Sequence, residues 1–292
     1  MADIALSATS RANLLSLQDT TDLANRTQSR LSTGLKVASA LDDAVAYFQS
    51  KALSDRAADF TDRKNEIDQG ISSLKSALNA TEAVDKILKQ IKGVAISAKT
   101  ADDATKADLS AQFKDLLNQF NSLLADASYQ GTNLITGTTQ DLTVKFSEVS
   151  TSELVVAGRD LRAGALFTDA AAADEAGTVL FVNLIGGSSF TDIQASVLVT
   201  SLNDLTDKID GAISSVRATT ASLGANITLL QTRLDFSKQY INSLTEGGDK
   251  LTLADLNEEG ANLVTLQTRQ QLALRALSFA GQNEQAVLQL FQ

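Results

Sequence analysis

The sequence predicts a mainly α protein: a long antiparallel coiled-coil or bundle core built from both termini, with a small β-containing central insert. Three observations predict it. Apolar residues recur at alternating steps of three and four in both halves of the chain, the signature of helices that pack on helices. Proline is absent from all 292 residues, where roughly 15 would be expected at an average usage of about 5%. Proline removes a backbone donor and clashes with the preceding turn, so long unbroken helices exclude it. Finally, residues 138–190 shift to Gly, Ala, Ser, Thr and Asp with β-branched patches.

The elements follow in order. Residues 4 to about 33 form one helix with a seam at Leu14, Leu17, Thr21, Ala24, Gln28, Leu31 and Leu35, interrupted at Ser32-Thr33-Gly34. Leu35–Ala40 has no period and reads as irregular or extended. A second helix starts near Asp42-Asp43, whose charges suit the positive end of a helix dipole, and runs to about Thr100. Its seam is Ile67, Ile71, Leu74, Leu78, then Val84, Ile87, Ile91, Val94 and Ala98, with a stutter between Leu78 and Val84. A third helix follows Asp102, placing Leu109, Phe113, Leu116, Phe120, Leu123 and Ala127 on one face, and breaks at Tyr129-Gln130-Gly131-Thr132-Asn133.

Short β-like pieces come next, at 133–136, 142–146, 153–156 and Thr178–Val182. From Ser196 to about Leu244 the seam returns through Leu202, Leu205, Ile209, Ala212, Val216, Thr219, Leu223, Ile227, Leu230, Leu234, Ser237, Ile241 and Leu244. Gly247-Gly248 is expected to end this helix. The last helix begins near Thr252 or Leu253, with a seam at Leu256, Leu263, Leu266, Ala273, Leu277, Ala280, Val287 and Phe291.

Composition narrows the function. The chain carries 25 Lys+Arg against 35 Asp+Glu, a net charge of -10. Nucleic acid is a poor partner for such a chain, because phosphate neutralisation needs clustered basic residues. No segment approaches the roughly 20 apolar residues of a membrane span, and Met1–Leu6 lacks the basic start of a secretory signal. Without His or Cys there is no imidazole base, no thiolate and no His- or Cys-ligated zinc. The sequence therefore reads as a non-enzyme with no cofactor, metal or small-molecule substrate. Absent cysteine fits either chance in an intracellular protein or a chain exported unfolded.

Both chain ends are apolar and nearly uncharged. From Val264 to Gln292 the charged side chains are Arg269, Arg275 and Glu284. A solvated helix carries charge on its outer face. The seams can close an intramolecular bundle or meet other copies, and so little charge favours assembly.

Several segments carry a resemblance. Arg30-Leu31-Ser32-Thr33-Gly34-Leu35-Lys36-Val37-Ala38-Ser39-Ala40-Leu41-Asp42-Asp43-Ala44 closely resembles RLSSGLRINSAKDDAA, the N-terminal signature of bacterial flagellins. In order and spacing, Gln69–Ser72 resembles DGIS, Thr81-Glu82-Ala83 the TEGA segment, Tyr129–Leu134 the F/Y-N-G-x-x-L turn, and Leu223-Gly224-Ala225 LGA. Asp255 and Glu259 match D-x-x-x-E, and Ala280–Phe291 resembles AQANQ-x-P-Q-x-V-L-x-L-L. The likeness covers about 1–136 and 196–292.

The resemblance implies a structural subunit of the extracellular flagellar filament, exported unfolded by the flagellar type III apparatus after a transient cytoplasmic stage. It implies partners: further copies of itself, an export chaperone, the filament cap and hook-junction proteins. It implies inner-core terminal helices at 1–41 and 250–292, disordered in the monomer; an outer-core bundle at 42–137 and 196–249; and a surface insert at 138–195. The assembly surface is expected at Leu14, Leu17, Leu31, Gly34, Leu35, Leu263, Leu266, Leu277, Val287, Leu288 and Phe291.

The chain also departs from the family. Glu284 stands where a Pro is frequent. The stretch read by the innate immune receptor, LQRVRELAV, corresponds to Leu88–Ile96, with its Arg, Glu and Leu contact positions replaced by Gln90, Gly93 and Val94. That substitution implies weak recognition, since an Arg fork and an acid are lost. Insert Ser and Thr fit an ordinary loop or O-glycosylation, and Arg26, Arg30 and Arg56 fit solvated charge or inter-subunit pairs. Asp42-Asp43 reads as a helix start rather than a metal site, because nothing nearby completes a ligand set. A hook–filament junction protein, which shares the terminal pattern, is the alternative; the closeness of the Arg30–Ala44 match disfavours it.

Overall fold

The structure is a computed structural model that describes residues 8–148, 151–167 and 195–290, with the side chains of 8–10, 195–201 and 284–290 outside the description. Its elements are α1 (Ala8–Thr33), α2 (Ala44–Ala98), α3 (Asp103–Asp126), β1 (Leu142–Lys145), β2 (Glu153–Val156), α4 (Ala163–Phe167), α5 (Ala195–Thr252) and α6 (Leu256–Leu290). The chain forms two compact units, Met1–Ala58 with Asn242–Gln292, and Asp59–Ile241. No helix among the described residues is long and apolar enough to cross a membrane.

The 59–241 unit holds the large core. Ile67, Leu74, Val84, Leu88 and Ile91 from α2 meet Leu202, Leu205, Ile209, Val216 and Leu230 from α5, with Phe113, Phe120 and Leu124 from α3. On α3 the buried stripe is Phe113, Leu117, Phe120 and Leu124, while Leu109, Leu116 and Leu123 are partly buried at its edge. The seam is thus turned one residue from the expected one. Asp102 caps α3, its side chain accepting from the Thr105 N–H at 3.1 Å.

The third helix ends in a tight reversal. Gln130 and Gly131 have φ of 50° and 82°, and Tyr129 and Thr132 exchange backbone hydrogen bonds of 2.9 and 3.0 Å. Two successive positive φ values define a primed turn, the kind that matches strand twist. The buried Asn133 side chain donates to the Leu124 carbonyl at 2.7 Å, occupying an orphan acceptor at the α3 C-terminus, and accepts from the Ile135 N–H.

β1 and β2 pair antiparallel with Val144 opposite Leu154 and Lys145 opposite Glu153. Val144, Phe146 and Val156 face the core, with Thr143, Lys145 and Glu153 outward. The expected strand at 133–136 is instead irregular chain with one bridge, Thr136 to Asp160. The expected strand at Thr178–Val182 lies outside the described residues.

Gly70 is the point where the hairpin meets α2: a Cβ there would lie 2.6 Å from Val144 Cγ2. Ion pairs tie α2 to α5, with Lys92 Nζ 2.6 Å from both Asp210 oxygens and Arg217 Nε 3.0 Å from Asp85. Burial pushes the Asp85 carboxyl up, but hydrogen bonds from Lys89 and Arg217 outweigh it and hold the group below its ordinary value.

Gly247-Gly248 does not end α5, which continues to Thr252 and is followed by a helix starting at Leu256. A Cβ at Gly248 would stand 3.4 Å from Ser50 Oγ and 3.6 Å from the Ser50 carbonyl oxygen. These glycines allow close approach to the start of α2, a use that competes with capping and has the same residue signature.

Candidate assembly surface

The unit formed by the chain ends is built on α1 and α6, which pack against each other. Their joint begins with two caps. Gly34, at φ 71°, closes α1 with its N–H donating to the Arg30 carbonyl at 2.8 Å; a left-handed residue after a helix is the position glycine fills without strain. Asp255 caps α6 by accepting from the N–H groups of Asn257 and Glu258 at 2.9 and 3.3 Å. The segments between helices are stitched together. Lys36 and Val37 donate to the Thr252 carbonyl at 2.7 and 3.2 Å, Ala254 donates to the Gly34 carbonyl at 3.0 Å, and Leu35 faces Leu253 in an antiparallel bridge.

The acidic pair after this joint has two distinct uses. One carboxylate oxygen of Asp42 accepts from the N–H groups of Ala38 and Ser39 and from the Ser39 hydroxyl. Those bonds hold its carboxyl below the ordinary aspartate value, the Ser39 N–H contributing most. Asp43 caps α2 through the Ala46 N–H at 3.0 Å. Among the described residues no acidic cluster could hold a metal ion.

Within the α1–α6 pair, Arg30 reaches Glu259 at 2.9 Å, and the Gln270 amide donates to the Thr21 hydroxyl at 3.2 Å. Arg30 is therefore engaged within the chain, rather than solvated or held for another subunit. These two contacts set the antiparallel register. The inner stripe of α1 is Leu17, Thr21, Ala24, Thr27 and Leu31; that of α6 is Glu259, Leu263, Leu266, Gln270, Ala273, Leu277 and Ala280.

The expected assembly residues thus fall into three groups. Leu17, Leu31, Leu35, Leu263, Leu266 and Leu277 are half-buried; all but Leu35 lie on the inner stripes. Leu14 lies at the exposed edge and Gly34 in the joint. Val287 and Leu288 belong to α6 with side chains outside the description, and Phe291 lies beyond the described residues.

A second, outward set was missed by following one seam per helix. Leu15 and Leu23 on α1 and Val264, Leu272, Leu274 and Phe279 on α6 are exposed, with Phe279 at 66%. Leu41 in the turn before α2, at 98%, and Val45 and Phe48 in its first turns are exposed as well. In the 59–241 unit the exposed large apolar side chains among the described residues are Ile96, Val155, Leu229 and Phe236. Exposed large apolar side chains are concentrated on the unit of the chain ends, the composition of an interaction face. The signal for it was already in the sequence: a helix that is apolar on more than one side has more than one neighbour.

Elsewhere, Gln90 and Gly93 are exposed on α2, whereas Val94 is buried in the core. Arg26 is exposed beside Asp19, Asp22 and Leu23 in a shallow groove on α1.

Paired terminal helices with apolar outer faces define the class: a helical structural protein made to meet further helices. Residues 4–140 match the bacterial flagellin N-terminal helical region and residues 206–291 the bacterial flagellin C-terminal helical region. The chain belongs to the bacterial flagellin family, the structural subunits of the flagellar filament. It is 30% identical to Flagellin FljO of Caulobacter vibrioides over 281 residues, spanning 96% of this chain and 94% of that protein. It is 28% identical to a flagellin of Brucella melitensis, with 100% of both chains covered. The structure of a putative flagellar hook-associated protein from Vibrio parahaemolyticus matches with a TM-score of 0.56 at 13% identity, over 73% of this chain and 100% of that one. This last likeness is one of fold.

Proposed function

We propose that this chain polymerises into the flagellar filament through the outward faces of α1 and α6, with the inner stripes closing the pair within each subunit. The observation that carries this is the exposed apolar set Leu15, Val264, Leu272 and Phe279, lying away from the inner stripes that join the two helices. Leu14, Gly34, Leu35, Val287, Leu288 and Phe291 complete the assembly surface. Residues 1–41 and 250–292 form the inner core of the polymer, 42–137 and 196–249 its outer helical layer, and 138–195 its solvent-facing insert.

The chain reaches its site by export in an unfolded state from the cytoplasm. Zero Pro and zero Cys support this, because no slow prolyl isomerisation and no disulfide formation delay folding after passage. An export chaperone, the filament cap and hook-junction proteins are its transient partners. The terminal helices are unfolded in the free subunit, since the pair alone leaves much of its apolar surface in water and cannot offset the ordering entropy.

Electron microscopy of the purified chain, seeded with short filament fragments, tests this reading: helical filaments are expected, and a chain that never elongates seeds would refute it. The junction-protein reading is not favoured, because the relatives covering nearly the whole chain carry the flagellin name. Abundance in sheared filaments separates the two, a junction protein being a minor component.

A further inference from the structure

Within the 59–241 unit, α2, the reversal after α3 and the hairpin meet around a cleft of about 210 Å³ that opens to solvent. α2 lines it with Gln69 and Ser73, the reversal with Tyr129, Gln130 and Thr132, and β1 with Thr143. Ser73 is only 6% exposed, and its hydroxyl has no hydrogen-bond partner among the described residues. Thr81 and Thr206, equally enclosed, turn their hydroxyls back to the Leu78 and Leu202 carbonyls. A buried hydroxyl left without a partner costs stability, so its persistence asks for a use.

Gln130 adds a second sign. Its φ of 50° places it at the first central position of the primed turn, where Gly or Asn sits with least strain. Strain kept beside a cleft points to the side chain that bears it. Like Ser73, the side chains of Gln69, Tyr129, Gln130, Thr132 and Thr143 have no hydrogen bond or ion pair among the described residues.

The chemistry of the walls selects a class of ligand. No Lys or Arg lines the cleft, so it offers an anion no counter-charge. Its one carboxylate, Glu66, is held by Arg63 at 2.6 Å, and no acidic cluster among the described residues could hold a metal ion. What remains is uncharged: hydroxyls and amides that both donate and accept, beside one aromatic ring. A sugar ring is the complement of that set, with hydroxyls around its edge and a C–H face that packs on an aromatic surface. The volume suits one ring rather than a chain of them.

We propose that this cleft binds one uncharged sugar residue, its C–H face on Tyr129 and its hydroxyls bonded by Gln69, Gln130 and Ser73. The site is independent of the assembly reading, because it shares no residue with the outward faces of α1 and α6.

Saturation-transfer NMR on the full chain as free subunit tests this, with the methyl glycosides of glucose, galactose, mannose and N-acetylglucosamine as probes. At least one is expected to bind with a Kd of about 1 mM, the affinity of a small contact set. Gln69→Ala and Tyr129→Ala should each weaken it about tenfold, whereas Tyr129→Phe, which keeps the ring, should stay within about threefold. Both positions lie at the surface, so helicity by circular dichroism should not change. A trisaccharide ending in the preferred sugar separates the sources: equal binding supports a glycan end, and binding of the methyl glycoside alone supports a free sugar. The proposal is overturned if none of the probes binds at about 10 mM, or if both alanine variants bind like the wild type. Impaired seeded growth of Gln69→Ala without any sugar binding also overturns it, and gives the cleft to a neighbouring copy.

Discussion

Arg30 and Glu259, 229 positions apart, form an ion pair at 2.9 Å in which the Glu259 side chain is only 10% exposed. Removing one member leaves a largely desolvated charge without its partner. Glu259→Ala is expected to destabilise the α1–α6 pair by about 1–3 kcal/mol, discounted from the fully buried case because Arg30 is partly solvated. Arg30→Met with Glu259→Leu should recover most of that loss. Thermal melting of filaments, where the pair is ordered, measures both; equal melting of Glu259→Ala and wild type would contradict the assignment.

Gly70 and Gly93 occupy the same helix and should respond oppositely to alanine. Both substitutions gain helix propensity of about 1 kcal/mol. At Gly93 nothing lies within 4 Å of the new Cβ, so the gain is expressed. At Gly70 the methyl meets the buried Val144 side chain at 2.6 Å, and overpacking of this kind costs about 1–3 kcal/mol. Chemical denaturation should show Gly93→Ala above and Gly70→Ala below the wild type, with Val144→Ala rescuing the latter.

Asp42 predicts an acid-sensitive joint. Its folded carboxyl is held below the ordinary aspartate value by the Ser39 N–H, then by the Ser39 hydroxyl and the Ala38 N–H. A depressed value stabilises the folded joint above the unfolded value and loses that contribution as pH falls through the lowered one. Amide exchange at Ala38 and Ser39 in filaments should therefore accelerate on acidification beyond the intrinsic rate. In Asp42→Asn exchange should be fast at neutral pH and insensitive to this change.

Leu277 and Phe279 separate pairing from assembly. Leu277 is half-buried on the inner stripe, whereas Phe279 points outward. Phe279→Asp is expected to abolish seeded growth while leaving the helicity of the 59–241 unit intact. Leu277→Asp should remove assembly by preventing the helix pair from forming at all. Chemical crosslinking of a Thr21→Cys, Gln270→Cys pair within one chain reads even a transient pairing of the two helices: its rate should survive Phe279→Asp and fall with Leu277→Asp.

Recognition by the innate immune receptor for flagellin is expected to be weak. Gln90 and Gly93 present neither a guanidinium nor a carboxylate on the exposed side of α2, and Val94 is withdrawn into the core. A reporter-cell response equal to that of a flagellin with the Arg and Glu in place would contradict this.

Helix existence was legible because it rests on local periodicity: α1, α2, α3 and α5 lie where the seams of Leu14–Leu35, Ile67–Ala98, Leu109–Ala127 and Leu202–Leu244 put them. What was hidden depended on neighbours. Gly247-Gly248 has the composition of a helix stop, yet Ser50 across the interface makes it a contact point. Arg30 looked like surface charge because its partner is distant in sequence. The spacing of Asp255 and Glu259 was visible, but not its division of labour: the first residue caps α6 and the second turns one helical turn inward to meet Arg30. The outward stripe of α6 was legible as excess apolarity, though assigning faces required the register fixed by Thr21 and Gln270.

The stitch between residues 34–37 and 252–254 has a mechanical consequence. Antiparallel backbone bonds run across the strands they join, so a pull along either chain loads the bonds from Lys36, Val37 and Ala254 in shear. Bonds loaded in shear share the force and yield together, unlike a zipper opened one tooth at a time. Tension entering through α1 is passed to α6 at this joint, before it reaches the covalent path through the rest of the chain. In a fibre that transmits torque, each subunit then bears load as one doubled strut.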